Sequence, residues 1–352
     1  MGEINWTREA PGIDSWRAES ADEFVAAIRR SNSVWWDNGH CPWVYRGHAE
    51  SAWKLLPSAW RPNAVISAAR REAQKRFEAS NPAQQLIWSW PPTNYLTGPA
   101  VLFGPNDTEL AKQLAISTTS ELLPIWDFGL GCNDLGLSIP LLNLPPEPAV
   151  SPNWLWFAHF PLLGDEFSIY SDLPPMIALA QHHGIPTRYL DWTANPMAAA
   201  FFPVEHLFSP KTNESIVFWA LHREKASRVS VAGMQFPNGP HGAPRLDPTL
   251  SVVKPPAGDN EYLTAQSGLF TTLAHSGIHF MQNDGTRFPV EDFVVQSNAT
   301  DVILRKIAMS HEHVGGLKEI LEREQMSRAA LMPTRDNIAA DVLRRWQSRS
   351  DN

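Results

Sequence analysis

The 352 residues, 43% hydrophobic and 19% charged with 15 Trp and 16 Phe, exceed one minimal domain and hold enough apolar surface for a sizeable core, which excludes wholesale disorder. A formal net charge of -8 argues against a generic nucleic-acid coat protein, because such a chain gains little from neutralising phosphates. Two cysteines, Cys41 and Cys132, make neither a disulfide framework nor a Cys-rich zinc site.

The start MGEINWTREAPG lacks a charged-then-apolar signal pattern, and no apolar run reaches the roughly 18 residues that span a bilayer. A soluble, cytoplasmic, globular protein without membrane contact is therefore expected. Residues 20–30 open with Ser20 and Glu23 and continue with Phe24, Val25 and Ile28 at helical spacing, which predicts a capped helix. Residues 41–47 read as a short strand ending in Gly47. Helices are predicted over 65–90 and 108–128. The proline-rich stretch 140–153 reads as a linker or surface loop.

Residues 173–184 predict a helix with Pro174 and Pro175 in its first turn and Gly184 as a left-handed C-terminal cap. A second helix is expected to start at Asn195-Pro196 and run through Phe202. Residues 215–221, SIVFWAL, carry the strongest buried-strand signal of the chain. Residues 235–258 are expected to be loop, 268–274 and 300–308 strands, and the last forty residues two short amphipathic helices. Helices leading and strands coming late suggest α+β, with a small, twisted, mostly antiparallel sheet flanked by helices and a helical insertion.

Three stretches stand out. Val44-Tyr45-Arg46-Gly47-His48 is followed by Trp53-Lys54-Leu55-Leu56-Pro57-Ser58 and Arg61. The run from Leu179 to Thr193 reads LAQHHGIPTRYLDWT and continues through Asn195-Pro196 to Phe201. The third is Thr264-Ala265-Gln266-Ser267-Gly268-Leu269-Phe270-Thr271. Together these resemble the FRG domain, named for its (F/Y)RG tripeptide, and Leu331-Met332-Pro333 sits where that family tends to have Leu-Phe-Pro. The resemblance implies one domain over residues 14–345, an insertion over about 70–170, and tails at 1–13 and 346–352.

A strand ending in Tyr-Arg-Gly is also similar to the first motif of the arginine-class ADP-ribosyltransferases. That similarity implies NAD as the substrate, with Arg46 seating it and Tyr45 and Gly47 beside it. Asp191, Trp192 and Thr193 would form the middle strand, and Gln266 or Glu261 would take the catalytic acid's place. His182 is the candidate proton carrier; His183, Thr187, Arg188 and Phe270 complete the candidate pocket. The pattern departs from the transferases in lacking a paired-glutamate motif, since Glu261 and Gln266 stand five apart instead of two.

The chemistry agrees with these roles. An arginine at a strand end can donate two parallel hydrogen bonds to a pyrophosphate. Scission of the nicotinamide–ribose bond builds oxocarbenium character, which a nearby carboxylate or amide stabilises. Trp192 or Phe270 would stack on nicotinamide. Each feature also has a plain reading. Arg46 pairs with a carboxylate such as Asp191, Thr187 and Asp191 cap turns, Trp192 plugs the core, and Gln266 is a turn residue.

No metal is expected. His182 and His183 point about 100° apart on a helix, and His311-Glu312-His313 lacks the i, i+4 zincin spacing. Ser117-Thr118-Thr119-Ser120 mimics a transferase Ser-Thr-Ser element but lies in a helical context. Arg70, Arg71, Lys75 and Arg76 form a basic face of the kind that is usually solvated. Trp88, Trp90, Trp126, Trp154 and Trp156 in the insertion fit a core or a partner surface. The functional expectation is an ADP-ribosyltransferase-like effector acting on a protein or nucleic-acid acceptor, as a bacterial toxin or antiphage defence component with an antitoxin or other regulatory protein. The alternative is a non-catalytic nucleotide- or protein-binding sensor module.

Overall fold

The computed structural model describes residues 4–79, 105–140, 173–205, 207, 210–235, 245–254 and 266–350. The strands of its main sheet are β1 (Thr7–Ala10), β2 (Ile13–Ala18), β3 (Trp43–His48), β4 (Leu190–Thr193), β5 (Ser215–His222), β6 (Thr249–Val253), β7 (Gly268–Ala274) and β8 (Leu304–Ser310). The main helices are α1 (Ala21–Ile28), α2 (Ala64–Ala79), α3 (Pro105–Asp134), α4 (Leu173–His182), α5 (Pro196–Glu205), α6 (Ser276–Gln282), α7 (Val290–Gln296), α8 (Val314–Arg323) and α9 (Arg335–Ser350). The eight strands form one sheet in the order β1-β2-β8-β5-β3-β4-β7-β6. Every pairing is antiparallel except that of β2 with β8. The chain is thus α+β, with a mostly antiparallel sheet and helices packed on it.

The apolar run of β5 has a simple cause. The strand lies between β8 and β3 and is buried on both faces. Ile216, Phe218 and Ala220 face a core with Phe24, Ile28, Trp35, Tyr45 and Leu317. Val217, Trp219 and Leu221 face the other, with Val44, Trp192, Leu269 and Phe293. A strand covered on both sides reads as continuous apolar sequence instead of alternating. Each fully buried side chain of this size contributes roughly 1.5–3 kcal/mol.

Local signals explain the helices that position the site. Ser20 caps α1 by accepting from Glu23 N at 3.2 Å, and the Glu23 carboxylate accepts from Glu19 N at 2.8 Å. Asn195 caps α5 by accepting from Met197 N at 3.0 Å, with Pro196 at the first helical position. Gly184 has φ +85, Ile185 N donates to Ala180 O and Gly184 N donates to Gln181 O, each at 3.0 Å. That is a Schellman ending, and it turns the chain from α4 back toward β4.

Several expectations need correction. Strands open the chain, and the expected tail at 1–13 contains β1 and the start of β2, zipped to β8 through Gly12 O, which accepts from Ile303 N and Leu304 N. At the other end α9 runs from Arg335 to Ser350. The expected loop 235–258 contains β6, held antiparallel to β7. The helix expected over 108–128 runs from Pro105 to Asp134. From the insertion, α3 joins α2, α4, Tyr189 and Phe270 in a third apolar cluster that includes Phe77, Ile116, Trp126 and Met176. Ser117 to Ser120 lie inside α3, with Thr118, Thr119 and Ser120 buried. Beyond Pro140 the expected linker 140–153, and Trp88, Trp90, Trp154 and Trp156, lie outside the described residues. No helix among the described residues is long and apolar enough to cross a membrane.

Candidate functional site

Strands β3 and β4 pair at one register position, Tyr45 with Thr193. Beyond it the Arg46 side chain bridges the two strands. Its Nη1 donates to the Asp191 carbonyl at 2.9 Å and to Asp191 Oδ2 at 2.6 Å. A cavity of about 510 Å³ lies against both strands, within the size range of small-molecule sites. Arg46 and His48 line it from β3, Trp53 and Arg61 from the loop that follows, and Gln181 and His182 from α4. Asp191, Trp192 and Thr193 line it from β4, Phe202 and Pro203 from α5, and Gln266, Leu269 and Phe270 from the β7 segment. The three sequence stretches therefore converge on one cavity.

Arg46 is fixed from two sides. Alternation along β3 puts Arg46 and His48 on the same face, and Arg46 Nε donates to His48 Nε2 at 3.1 Å. His48 Nδ1 is 3.2 Å from the Trp53 carbonyl. A carbonyl only accepts, so Nδ1 carries the proton, and Nε2 is the acceptor for Arg46. This leaves His48 neutral and fully used. On the other side a relay holds Asp191. Tyr189 N donates to Thr187 Oγ1 at 3.1 Å, Thr187 Oγ1 donates to Gln181 Oε1, and Gln181 Nε2 donates to Asp191 Oδ1. Thr187, two residues before Tyr189, thus sets the carboxylate that sets Arg46.

The electrostatics follow from this packing. Burial, then the Arg46 charge, pushes the His48 imidazole down to about 3. Burial, then His183, pushes His182 down to about 4. An unfolded histidine titrates near 6.5, so below that pH the unfolded chain takes up protons that the folded chain refuses. Stability is complete above about pH 6.5 and is lost as pH falls toward the folded values. His48 alone is expected to remove about 2 kcal/mol between pH 7 and pH 5. Urea unfolding at the two pH values measures this, and a His48→Gln variant should flatten the slope by that amount.

Not every expected residue is in the cavity. Arg188 is buried against α3, where its Nε donates to Glu121 Oε2 at 2.9 Å. This is a correction: long-range pairing with a buried carboxylate, invisible in local spacing, draws the side chain away from the cavity. Thr187 is buried and does not line the cavity, and His183 packs on Phe128 with ring centroids 5.4 Å apart. Trp192 and Phe270 form the floor but are buried core residues. Trp192 Nε1 donates to Thr271 Oγ1 at 2.9 Å, and Phe270 packs on Tyr189 at 5.4 Å. Tyr45 stacks on Phe218 with centroids 5.2 Å apart, and burial raises its hydroxyl above the ordinary tyrosine range.

Gln266 lies at the rim, with Nε2 donating to Leu331 O at 3.3 Å and its own carbonyl accepting from Thr193 Oγ1. Met332 lines the same rim, which ties the Leu331-Met332-Pro333 tail to the site. Glu261 lies outside the described residues. Sequence reasoning passed over His48, Trp53, Arg61 and Gln181 as site residues, although all four stand in the motifs that carry Arg46 and Asp191. Gly47 has a different task. A Cβ there would collide with Ala199 O and lie 2.6 Å from Pro203 Cδ, so α5 rests directly on the β3 backbone. Pro203 has no N–H for the carbonyl four residues earlier, and that carbonyl turns over Gly47.

Among the described residues no group of three His, Cys, Asp or Glu side chains is placed to hold a metal ion. Fold and site together define an α+β protein with a cavity lined by an arginine that bridges two strands. The FRG domain family model matches residues 164–212, a stretch that includes the Gln181–Asp191 relay and α5. No curated protein and no solved structure matches the chain.

Proposed function

We propose that the cavity binds NAD and that the protein is an ADP-ribosyltransferase-like effector, a toxin or antiphage defence component that modifies a macromolecular acceptor. The observation that carries this reading is Arg46. It sits within β3, two residues before the last, its Nε and Nη1 are spent on His48 and Asp191, and Nη2 donates to no protein acceptor among the described residues, which leaves it for a ligand in the cavity. A guanidinium locked at one edge is preorganised to bind a pyrophosphate, which lowers the entropy lost on binding.

In this reading the buried floor of Trp192, Leu269 and Phe270 excludes water, and the Gln266 segment at the rim faces the scissile bond. The C–N bond between ribose and nicotinamide breaks with its electron pair leaving on nicotinamide. The acceptor nucleophile then bonds to the ribose carbon and gives up its proton. The second reading, a non-catalytic nucleotide-binding sensor, has its own support. Asp191, the carboxylate lining the cavity among the described residues, is already held by Arg46 and Gln181.

Nicotinamide release separates the two readings. Purified protein with NAD is followed with and without cell lysate as a source of acceptor. The transferase reading expects release that depends on lysate and disappears in Arg46→Ala. NAD binding with no release under either condition would move the sensor reading to first place.

A further inference from the structure

We propose, building on the nucleotide-binding reading above, that Arg61 is the second anion-binding group of the cavity and that with Arg46 it selects nucleosides carrying two linked phosphates. Arg61 ends the loop that follows β3, and that loop is tied down at several points. Leu55 N donates to the Glu291 carboxylate at 3.1 Å, Ala59 N to Thr187 O at 3.0 Å, and Trp60 Nε1 to Glu121 Oε1 at 3.1 Å. The Arg61 guanidinium is itself anchored through Nε, which donates to Leu56 O at 2.7 Å. Neither of its terminal nitrogens donates to a protein acceptor among the described residues, and the side chain lines the cavity.

Among the described residues two guanidinium groups thus share the cavity with one lining carboxylate, and both oxygens of that carboxylate are already hydrogen-bonded to Arg46 and Gln181. The two arginines feel each other: burial and then the Arg46 charge lower Arg61, and Asp191 opposes them. What remains is one unbalanced positive charge and the N–H donors of three terminal nitrogens from two residues. A pair of linked phosphates can engage both arginines at once, whereas a lone monophosphate engages them less completely. The apolar part of the lining, which includes Trp53 at 44% exposure, Phe202 and Met332, forms a wall that fits the nucleoside. An inorganic anion would leave that wall unused.

The test is calorimetric titration of the full chain with NAD, ADP, AMP and inorganic pyrophosphate. It uses the wild type, Arg61→Met, which keeps the aliphatic stem, and Arg61→Lys, which keeps the charge without the fork. Wild type should bind NAD and ADP about tenfold or more tighter than AMP, as one extra charged hydrogen-bonding group warrants. Arg61→Met should bring ADP down to the AMP level while AMP itself changes less, and Arg61→Lys should fall between. If the methionine variant fails to fold, the ADP-to-AMP ratio in Arg61→Lys decides. Equal binding of ADP and AMP by the wild type, or an ADP-to-AMP ratio unmoved by substitution, would overturn the role of Arg61 and leave the nucleotide site standing. Pyrophosphate binding as tightly as ADP would remove the nucleoside from the proposal. No binding of any nucleotide would remove both the proposal and the reading beneath it.

Discussion

Replacing Gly47 with alanine is expected to lower stability by about 3 kcal/mol, an effect of the size seen when backbone is forced apart in a packed core. The added methyl collides with Ala199 O and comes within 2.6 Å of Pro203 Cδ, and neither is the far end of a flexible side chain. The strand and helix must separate, and both carry cavity residues: Arg46 and His48 on β3, Phe202 and Pro203 on α5. Anion binding should therefore weaken together with stability. Urea unfolding of Gly47→Ala beside the wild type reads the first effect directly. An unchanged midpoint would mean that α5 does not rest on β3 as described. The third residue of the Tyr-Arg-Gly tripeptide is thus small for packing, while the second serves the site.

The second large effect is expected at Glu121, where Glu121→Ala should destabilise the protein by about 3–5 kcal/mol, the penalty for removing one partner from a buried ion pair. Glu121 is 1% exposed, accepts from Arg188 Nε at 2.9 Å and from Trp60 Nε1 at 3.1 Å, and lies 3.8 Å from Arg287 Nη2. Removing the carboxylate takes away the charge that Arg188 and Arg287 share. Glu121→Gln keeps an oxygen acceptor for Trp60 and should lose less. Because Trp60 adjoins Arg61 and Arg188 adjoins Thr187, the alanine variant should also weaken ligand binding from outside the cavity. Thermal unfolding and a titration on the same samples separate the two effects. Equal stability of the alanine variant and the wild type would contradict a buried network tying α3 to the site.

What the sequence disclosed, and what it hid, follows from the range of the interactions involved. The burial of β5 on both faces, the Ser20 cap of α1 and the Gly184 reversal are local events, and each left a local signature. Strand β1 is exposed over most of its length and is held by pairing to β2, so no apolar alternation announced it. Strand β6 sits among prolines and glycines, and it was recruited by β7 and not by its own composition.

The candidate site divides along the same line. Arg46, Asp191, Trp192, Gln266 and Phe270 were visible because they stand in distinctive runs, and the fold brings all five to one cavity. Arg188 stood in the same run as Asp191 but belongs to a buried pair with a helix 67 residues earlier. Periodicity cannot register a partner at that distance. The tautomer of His48 and the anchoring of Arg61 depend on the Trp53 and Leu56 carbonyls, which only the path of the folded loop reveals.

The central claim is that a guanidinium fixed on β3 makes this cavity a nucleotide site. Calorimetric titration of NAD into the wild type and into Arg46→Gln tests it most directly, with unfolding curves of both proteins as the control for folding. The account predicts saturable heat in the wild type and a loss of about a hundredfold or more in affinity in a glutamine variant that still folds, as removal of a charged anchor warrants. No heat with the wild type at millimolar NAD, or equal affinity in the two proteins, would contradict it.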